Sequence, residues 1–442
     1  MVTMENETVV VRTSPSVSED DTESRGGYST EPDVDSDSDA DSSSHSRAND
    51  ANSDEAAPDR SHKVVLVTGG AGFIGSSVAE ALLSRGDDVV IVDELNDYYD
   101  SRIKRRNLEL LVHRYGAARC KVYEGDIADA PFIADVFARH RPQWICHMAA
   151  RAGVRPSIQD PFIYIHSNIE GTTRLLELAR THGCKSFCFA SSSSVYGGSD
   201  KELFTEQDVV DFPVSPYAAS KKSCELIAYT YHHLYGLNVS GLRFFTVYGP
   251  RGRPDMAPFK FIDRVTRGAE IMQFGDGSTS RDYTFVTDIT DGIIRALDRP
   301  LGYQIYNLGN GSPVRLSDFI QMVEDACGTR AVIKICPEQP GDVPRTCADI
   351  SKARRLLGYN PQVPFEEGIR RTVDWFKTEY ADDAGESGRK GIGHCTDDVS
   401  AAGDQSAAAV KGGKKGHGSL PENPECGGLT RCPSALFVSP PC

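Results

Sequence analysis

From residue 63 onward the apolar positions fall in blocks that alternate between two spacings. The run Val64-Val65-Leu66-Val67 is wholly apolar, as suits a parallel strand buried on both faces. Beyond a glycine-rich stretch, Val78, Ala81 and Leu82 recur at helical spacing within residues 76–84. A second apolar run, residues 89–92, ends in Asp93. The alternation continues, with strands predicted at 121–123, 144–148, 186–190 and 239–245 and helices at 131–139, 169–181 and 216–235. This order predicts an α/β fold on a doubly wound parallel sheet. Ligands of such a sheet sit beyond the carboxyl ends of its strands. The sequence puts Gly69, Asp93, Asp126, Ala149 and the serines 191–194 there. The chain after residue 247 is expected to form a smaller C-terminal lobe.

The blocks stop at both ends of the chain. Residues 1–62 hold sixteen acidic residues against four arginines, twelve of the fifteen net negative charges, and read as a disordered acidic tail. Asp33, Asp35, Asp37 and Asp39 match a calcium loop in composition only, because the glycine and the closing glutamate are missing. Residues 381–442, rich in Gly, Ala and Ser, read as a second, low-complexity disordered tail. The compact, folded part is therefore expected over 63–380. It is nearly neutral, and no nucleic-acid partner is expected. The longest apolar runs are about five residues, against the ~20 needed to span a bilayer. No secretory signal is visible. None of the twelve cysteines shows C-x-x-C spacing. Cys146, Cys184, Cys188 and Cys224 lie in apolar contexts that suit buried thiols in a reducing compartment. These features predict a cytoplasmic protein without a metal site; the sequence does not fix the oligomeric state, and a homodimer is one assembly open to it.

The chemistry lies in two motifs. The first, Gly69-Gly70-Ala71-Gly72-Phe73-Ile74-Gly75, joins the first strand to its helix. Glycines there let the backbone approach a pyrophosphate at the helix N-terminus, in the manner of a Rossmann-type dinucleotide site. Asp93 stands where a carboxylate meets the adenosine ribose, and its charge would repel a 2′-phosphate, favouring NAD over NADP. The second motif is Ser191-Ser192-Ser193-Ser194 followed by Tyr217-Ala218-Ala219-Ser220-Lys221. Tyr217 and Lys221, four apart, share one helix face. An ammonium beside a phenol favours the phenolate, so the pair can take a proton from a sugar hydroxyl. A serine at the end of the preceding strand can pass that proton along. By contrast, His147 reads as a packed structural residue and His232-His233 as a partly exposed helix face.

Longer phrases carry a more specific likeness. Asn96-Asp97-Tyr98-Tyr99-Asp100, Ala152-Gly153-Val154-Arg155, Arg243-Phe244-Phe245-Thr246-Val247-Tyr248-Gly249-Pro250, Gly252-Arg253-Pro254-Asp255-Met256-Ala257 and Gln339-Pro340-Gly341-Asp342 are among them. With these the chain resembles the extended short-chain dehydrogenase/reductases, and within them the UDP-glucuronate 4-epimerases. The resemblance implies an isomerase with bound NAD and a UDP-sugar substrate. It implies that Gly69, Gly72, Phe73, Ile74 and Gly75 hold the pyrophosphate, Asp93 the ribose, and Asp126 and Ile127 the adenine side, with Ala149 beside the cofactor. It makes Tyr217 the base, Lys221 its partner on the nicotinamide ribose, and Ser192 the bridging hydroxyl. It places Thr246 and Arg253 near the sugar carboxylate, and Phe274, Arg281 and Asp342 on the uridine diphosphate. Related dehydratases carry Thr-Asp-Glu at the positions of Ser192-Ser193-Ser194, and related decarboxylases a Glu at Ser194. Arg151, Pro156 and Met148 depart from the residues most usual there. The alternatives are a UDP-glucose 4-epimerase, which usually has Asn at the position of Thr246, and a non-catalytic NAD-binding regulatory protein.

Overall fold

A computed structural model describes residues 63–338 and 343–380. The two expected tails, and Asp342, lie outside the described residues. Seven parallel strands form the main sheet: β1 (Val64–Thr68), β2 (Asp88–Asp93), β3 (Cys120–Glu124), β4 (Trp144–His147), β5 (Ser186–Ser192), β6 (Val239–Phe244) and β10 (Tyr303–Leu308). Their order is β10-β6-β5-β4-β1-β2-β3. The order reverses between β1 and β4, so the chain leaves these neighbours in opposite directions and opens a crevice above their carboxyl ends.

Period-two packing explains why the strands read as apolar runs. Leu66, Val90, Ile145, Phe187 and Val239 point to one face, where they meet Ile133 and Phe137 of α3 (Ala130–His140), Leu175 of α6 (Gly171–Thr181) and Cys224 of α7 (Pro216–Tyr235). Val65, Val67, Val89, Ile91 and Cys188 point to the other. They share a core with Val78 and Leu82 of α1 (Phe73–Ser84), Leu108 of α2 (Ser101–Tyr115) and Ile289 and Ile293 of α9 (Val286–Asp298). Each fully buried Leu, Ile or Val contributes roughly 1.5–3 kcal/mol.

Helix α7 begins and ends where local chemistry dictates. The Ser215 hydroxyl accepts from the Ala218 N–H at 3.1 Å, Pro216 fills the first turn, and Gly236 closes the helix at φ 68°. The helix expected at 169–181 differs at its start. Residues 165–170 form a wide π turn before α6. The wide turn brings in Asn168, whose carboxamide bonds both the N–H (2.8 Å) and the C=O (3.0 Å) of Arg151 and the Ser220 hydroxyl (2.9 Å). Two short helices precede it, α4 (Val154–Gln159) and α5 (Pro161–Tyr164).

Beyond β6 the chain adds β7 (Thr246–Tyr248), α8 (Ala257–Thr266), β8 (Glu270–Phe274), β9 (Ser280–Phe285), β11 (Pro313–Arg315), α10 (Leu316–Cys327), β12 (Val332–Cys336), α11 (Ser351–Leu357) and α12 (Phe365–Glu379). These form two small sheets, β11-β9-β7 and β12-β8. Aromatic contacts fill the space between them and the helices. Phe261 stacks on Phe319 at 5.1 Å between ring centroids, and Phe365 lies 4.8 Å from Tyr283. Among the described residues no helix is long and apolar enough to cross a membrane.

Candidate active site

One cavity of about 440 Å³ opens above β1, β2, β4 and β5. Its wall includes Gly69, Gly72, Phe73, Ile74, Gly75, Asp93, Asp126, Ile127, Ala149, Ser192, Tyr217, Lys221, Thr246 and Arg253. Fourteen positions scattered over 185 residues of sequence thus meet in one place. Phe274 and Arg281 are not among its lining residues. Phe274, at the end of β8, lies 5.6 Å from the Arg155 guanidinium on α4, and Arg281 donates to the Ser280 carbonyl at 2.9 Å.

The glycine turn is shaped by close backbone contact. Gly69 has φ 68°, and a Cβ on it would fall 2.6 Å from the Ala149 nitrogen. A Cβ on Gly75 would fall 2.1 Å from the Gly69 carbonyl oxygen. The turn is tied by Gly69 N–H to the Val92 carbonyl (2.8 Å) and Gly72 N–H to the Gly69 carbonyl (3.1 Å). Helix α1 starts within the motif at Phe73, and its N-cap Gly72 makes no side-chain capping bond. The first N–H groups of a helix lack intrahelical acceptors. Here they open onto the cavity, a cradle that fits a pyrophosphate.

The ribose edge is held more tightly than sequence could tell. Asp93 Oδ2 accepts from the Ala71 N–H at 3.1 Å and Oδ1 from the Leu95 N–H at 2.9 Å. Burial pushes its carboxyl up, against those bonds and the nearby Lys104 charge. Leu95 is held at φ 49°, a strained backbone for a branched side chain. Lys104 donates to the Asn96 carbonyl at 2.7 Å and to Asn96 Oδ1 at 2.8 Å, fixing the following loop. Glu94 adds a second carboxylate to the wall and pairs with Arg151 at 3.1 Å. The unusual Arg151 is therefore a partner of the cofactor half. Asp126, expected on the adenine side, accepts from the Ala128 N–H (2.8 Å) and meets His166 Nε2 at 2.7 Å.

The residues expected to handle the proton come from β5 and α7 and line the same cavity. Lys221, 4% exposed, donates to the Ala190 carbonyl at the end of β5 at 2.7 Å. The Tyr217 ring meets Tyr164 edge-on, with centroids 6.1 Å apart. Burial pushes the Tyr164 phenol to about 12. It stays a neutral donor, bonding the Ala152 carbonyl at 2.9 Å and the Gly153 carbonyl at 3.2 Å. Ser192 Oγ accepts from the Ser194 N–H at 3.1 Å, and Ser193 and Ser194 line the cavity beside it. Ser191, also on the wall, donates to Glu225 at 2.7 Å. Glu225 lies one turn beyond Lys221 and pairs bidentately with Arg243, both bonds 2.8 Å and both side chains at most 3% exposed. Arg243 also reaches Tyr196 Oη at 3.0 Å, which bonds Asn307 at 2.7 Å. This network pins α7 to β5, β6 and β10. His147 is structural as expected. It bridges Thr68 (2.7 Å) and Thr172 (2.9 Å), and burial pushes it down to about 3, so it is neutral.

Sequence reasoning missed Tyr164, Asn168, Glu94, His166, Tyr98 and Asp255. Only Asp255 left a signal, a carboxylate two residues after Arg253. The others act through contacts across many residues of chain.

The family profile described as GDP-mannose 4,6 dehydratase matches residues 66–372. A UDP-glucuronate 4-epimerase of Thermodesulfobacterium geofontis is 46% identical over 313 residues, 71% of this chain and 95% of that protein. UDP-glucuronate 4-epimerase 4 of Arabidopsis thaliana is 42% identical over 339 residues, 72% of this chain and 76% of that protein. Among solved structures, UDP-glucuronic acid 4-epimerase from Bacillus cereus in complex with UDP-glucuronic acid and NAD is similar, with TM-score 0.66 and 33% identity over 72% of this chain and all of that one. UDP-glucose 4-epimerase from Thermotoga maritima with UDP-glucose gives the same TM-score and identity over 71% of this chain and 99% of that one. With an uncapped glycine turn facing a Tyr-x-x-x-Lys helix across one cavity, and with relatives this similar over the whole described region, the chain belongs to the UDP-glucuronate 4-epimerases of the extended short-chain dehydrogenase/reductase family.

Proposed function

We propose that this chain is an NAD-dependent isomerase that interconverts UDP-glucuronate and UDP-galacturonate. The observation that carries the reading is the arrangement of Tyr217, Lys221 and Ser192 across from the glycine turn, with serines at 193 and 194. A carboxylic acid there would serve dehydration or decarboxylation, and neither position has one. NAD, when bound, accepts a hydride from the sugar C4 and returns it. Gly69, Gly72, Phe73, Ile74 and Gly75 hold its pyrophosphate. Asp93, through its hold on the Ala71 and Leu95 amides, shapes the ribose edge, and Asp126, Ile127 and Ala149 flank the rest.

Tyr217 takes the proton from the C4 hydroxyl through Ser192 as the carbonyl forms. Lys221, anchored on the Ala190 carbonyl, keeps a positive charge beside it. Once the 4-keto sugar has turned within the cavity, Tyr217 would return the proton to the C4 oxygen through Ser192. Thr246 and Arg253 face the C5 carboxylate, and Phe274, Arg281 and Asp342 take the uridine diphosphate. Purified protein incubated with UDP-glucuronate should give a product of unchanged mass that co-migrates with UDP-galacturonate. Release of carbon dioxide as the main outcome would overturn this.

Residues 63–380 are the catalytic unit in this reading. The assembly is a homodimer formed through the adjoining faces of α5, the π turn and α7. Phe162 (77% exposed), Ile165, Leu226 and Tyr229 leave an apolar surface there. A cytoplasmic setting is supported by eight free cysteines among the described residues, six of them buried.

A further inference from the structure

The guanidinium assigned to the substrate carboxylate already has a carboxylate. Arg253 Nε donates to Asp255 Oδ1 at 2.9 Å, and Nη2 makes a short bond to Asp255 Oδ2. This is a bidentate fork, the strongest ordinary pairing of the two groups. Both side chains are about four-fifths buried, at 21% and 19% exposure. The Tyr98 hydroxyl lies 3.5 Å from both Arg253 Nη2 and Asp255 Oδ2. Its ring centroid is 5.3 Å from the guanidinium. Tyr98 comes from the loop after β2, so the cluster also fastens the cofactor half to the loop after β7.

Arg253 and Tyr98 line the cavity, whereas Asp255 does not. The arginine therefore stands between its internal carboxylate and the substrate. Nη1 is its one nitrogen without a hydrogen bond among the described residues. A substrate carboxylate meets a nearly neutral pair and not a bare cation, and the attraction it gains is correspondingly reduced.

We propose that Asp255 is a specificity-determining residue. It competes with the substrate carboxylate for Arg253 and sets how strongly the site prefers a UDP-uronate over a UDP-hexose. It touches neither the cofactor nor the reacting carbon, so it acts only through Arg253. The inference rests on the reading of this cavity as a UDP-glucuronate site.

The test measures binding, so it does not depend on turnover. NAD-loaded protein carrying Tyr217→Phe, with and without Asp255→Asn, is titrated calorimetrically with UDP-glucuronate and with UDP-glucose. Releasing the fork should raise the ratio of the two affinities about tenfold, the scale of one charge-assisted hydrogen bond. The gain should lie almost wholly in UDP-glucuronate. An unchanged or lower ratio, including equal losses on both nucleotides, overturns the proposal. Structural damage alone would weaken both alike. If Asp255→Asn does not fold, Asp255→Ser removes the same charge and should move the ratio in the same direction. Failure of the underlying reading looks different: the Asp255-containing protein would bind UDP-glucose but not UDP-glucuronate.

Discussion

The two halves of the cavity are built from different materials. The half expected to hold the cofactor is mostly backbone. Its turn is fixed by main-chain bonds of 2.8 and 3.1 Å, by glycines with no room for a Cβ, and by two N–H groups held on Asp93. The half expected to hold the sugar is mostly side chain, with Tyr217 against Tyr164, Lys221 on a carbonyl, and Arg253 forked on Asp255. Backbone construction resists change and accepts one ligand shape. Side-chain construction lets single substitutions alter chemistry or selectivity while the fold stands. Mutations in the two halves should therefore fail in different ways.

The largest effect on rate should come from the sugar half. Tyr217→Phe removes the proton acceptor and should lower kcat by about 10²- to 10⁴-fold. NAD should remain bound, measured as cofactor released on denaturation. Loss of NAD in this variant would erase the contrast between the halves. Gly75→Ala should do the reverse. Its Cβ would lie 2.1 Å from a backbone oxygen, so the turn must move. The purified variant should carry little NAD, and added NAD should restore only part of the activity.

The same division explains what could be read from sequence. All six strands expected in the first part of the sheet formed, and helix α7 spans the expected residues, because Ser215, Pro216 and Gly236 mark its ends locally. The glycine turn and Asp93 were legible for the same reason. Asp93 turned out to hold the turn itself, a role that depends on the Ala71 amide 22 residues away. The sugar half was less legible. The π turn inserts a residue that periodicity does not encode. Tyr164 finds Tyr217 across 53 residues of chain. Thr246 and Arg253 came from resemblance, and the carboxylate two residues after Arg253 was the one local hint of the Asp255 fork.

A substitution in the network that pins α7 to the sheet should damage stability more than selectivity. Glu225→Gln leaves the buried Arg243 guanidinium without its counter-charge and should cost about 3–5 kcal/mol, seen by calorimetric or denaturant unfolding. The chain should also bind NAD at least about tenfold more tightly than NADP, since Asp93 and Glu94 both face the cavity. Removing Asp93 to admit a 2′-phosphate should weaken both dinucleotides, because the turn loses its two amide bonds. Equal affinity for the two in the unmodified protein would contradict the assignment of this edge.

The smallest effect concerns pH. The hydrogen bond to Asp126 raises His166 above the ordinary 6.5, with burial opposing. A raised histidine contributes stability that is fully present below its unfolded value and lost as pH rises through its folded value. An NMR titration should place His166 above 6.5, and Asp126→Asn should bring it down.

The central claim is that one hydride leaves C4 and returns to C4 without reaching solvent. The direct measurement is to run UDP-glucuronate to equilibrium with the purified protein in deuterated water and examine the UDP-galacturonate formed by NMR and mass spectrometry. The account predicts a product that keeps its original hydrogen at C4. Deuterium at C4, or a pentose nucleotide in place of the uronate, would contradict it.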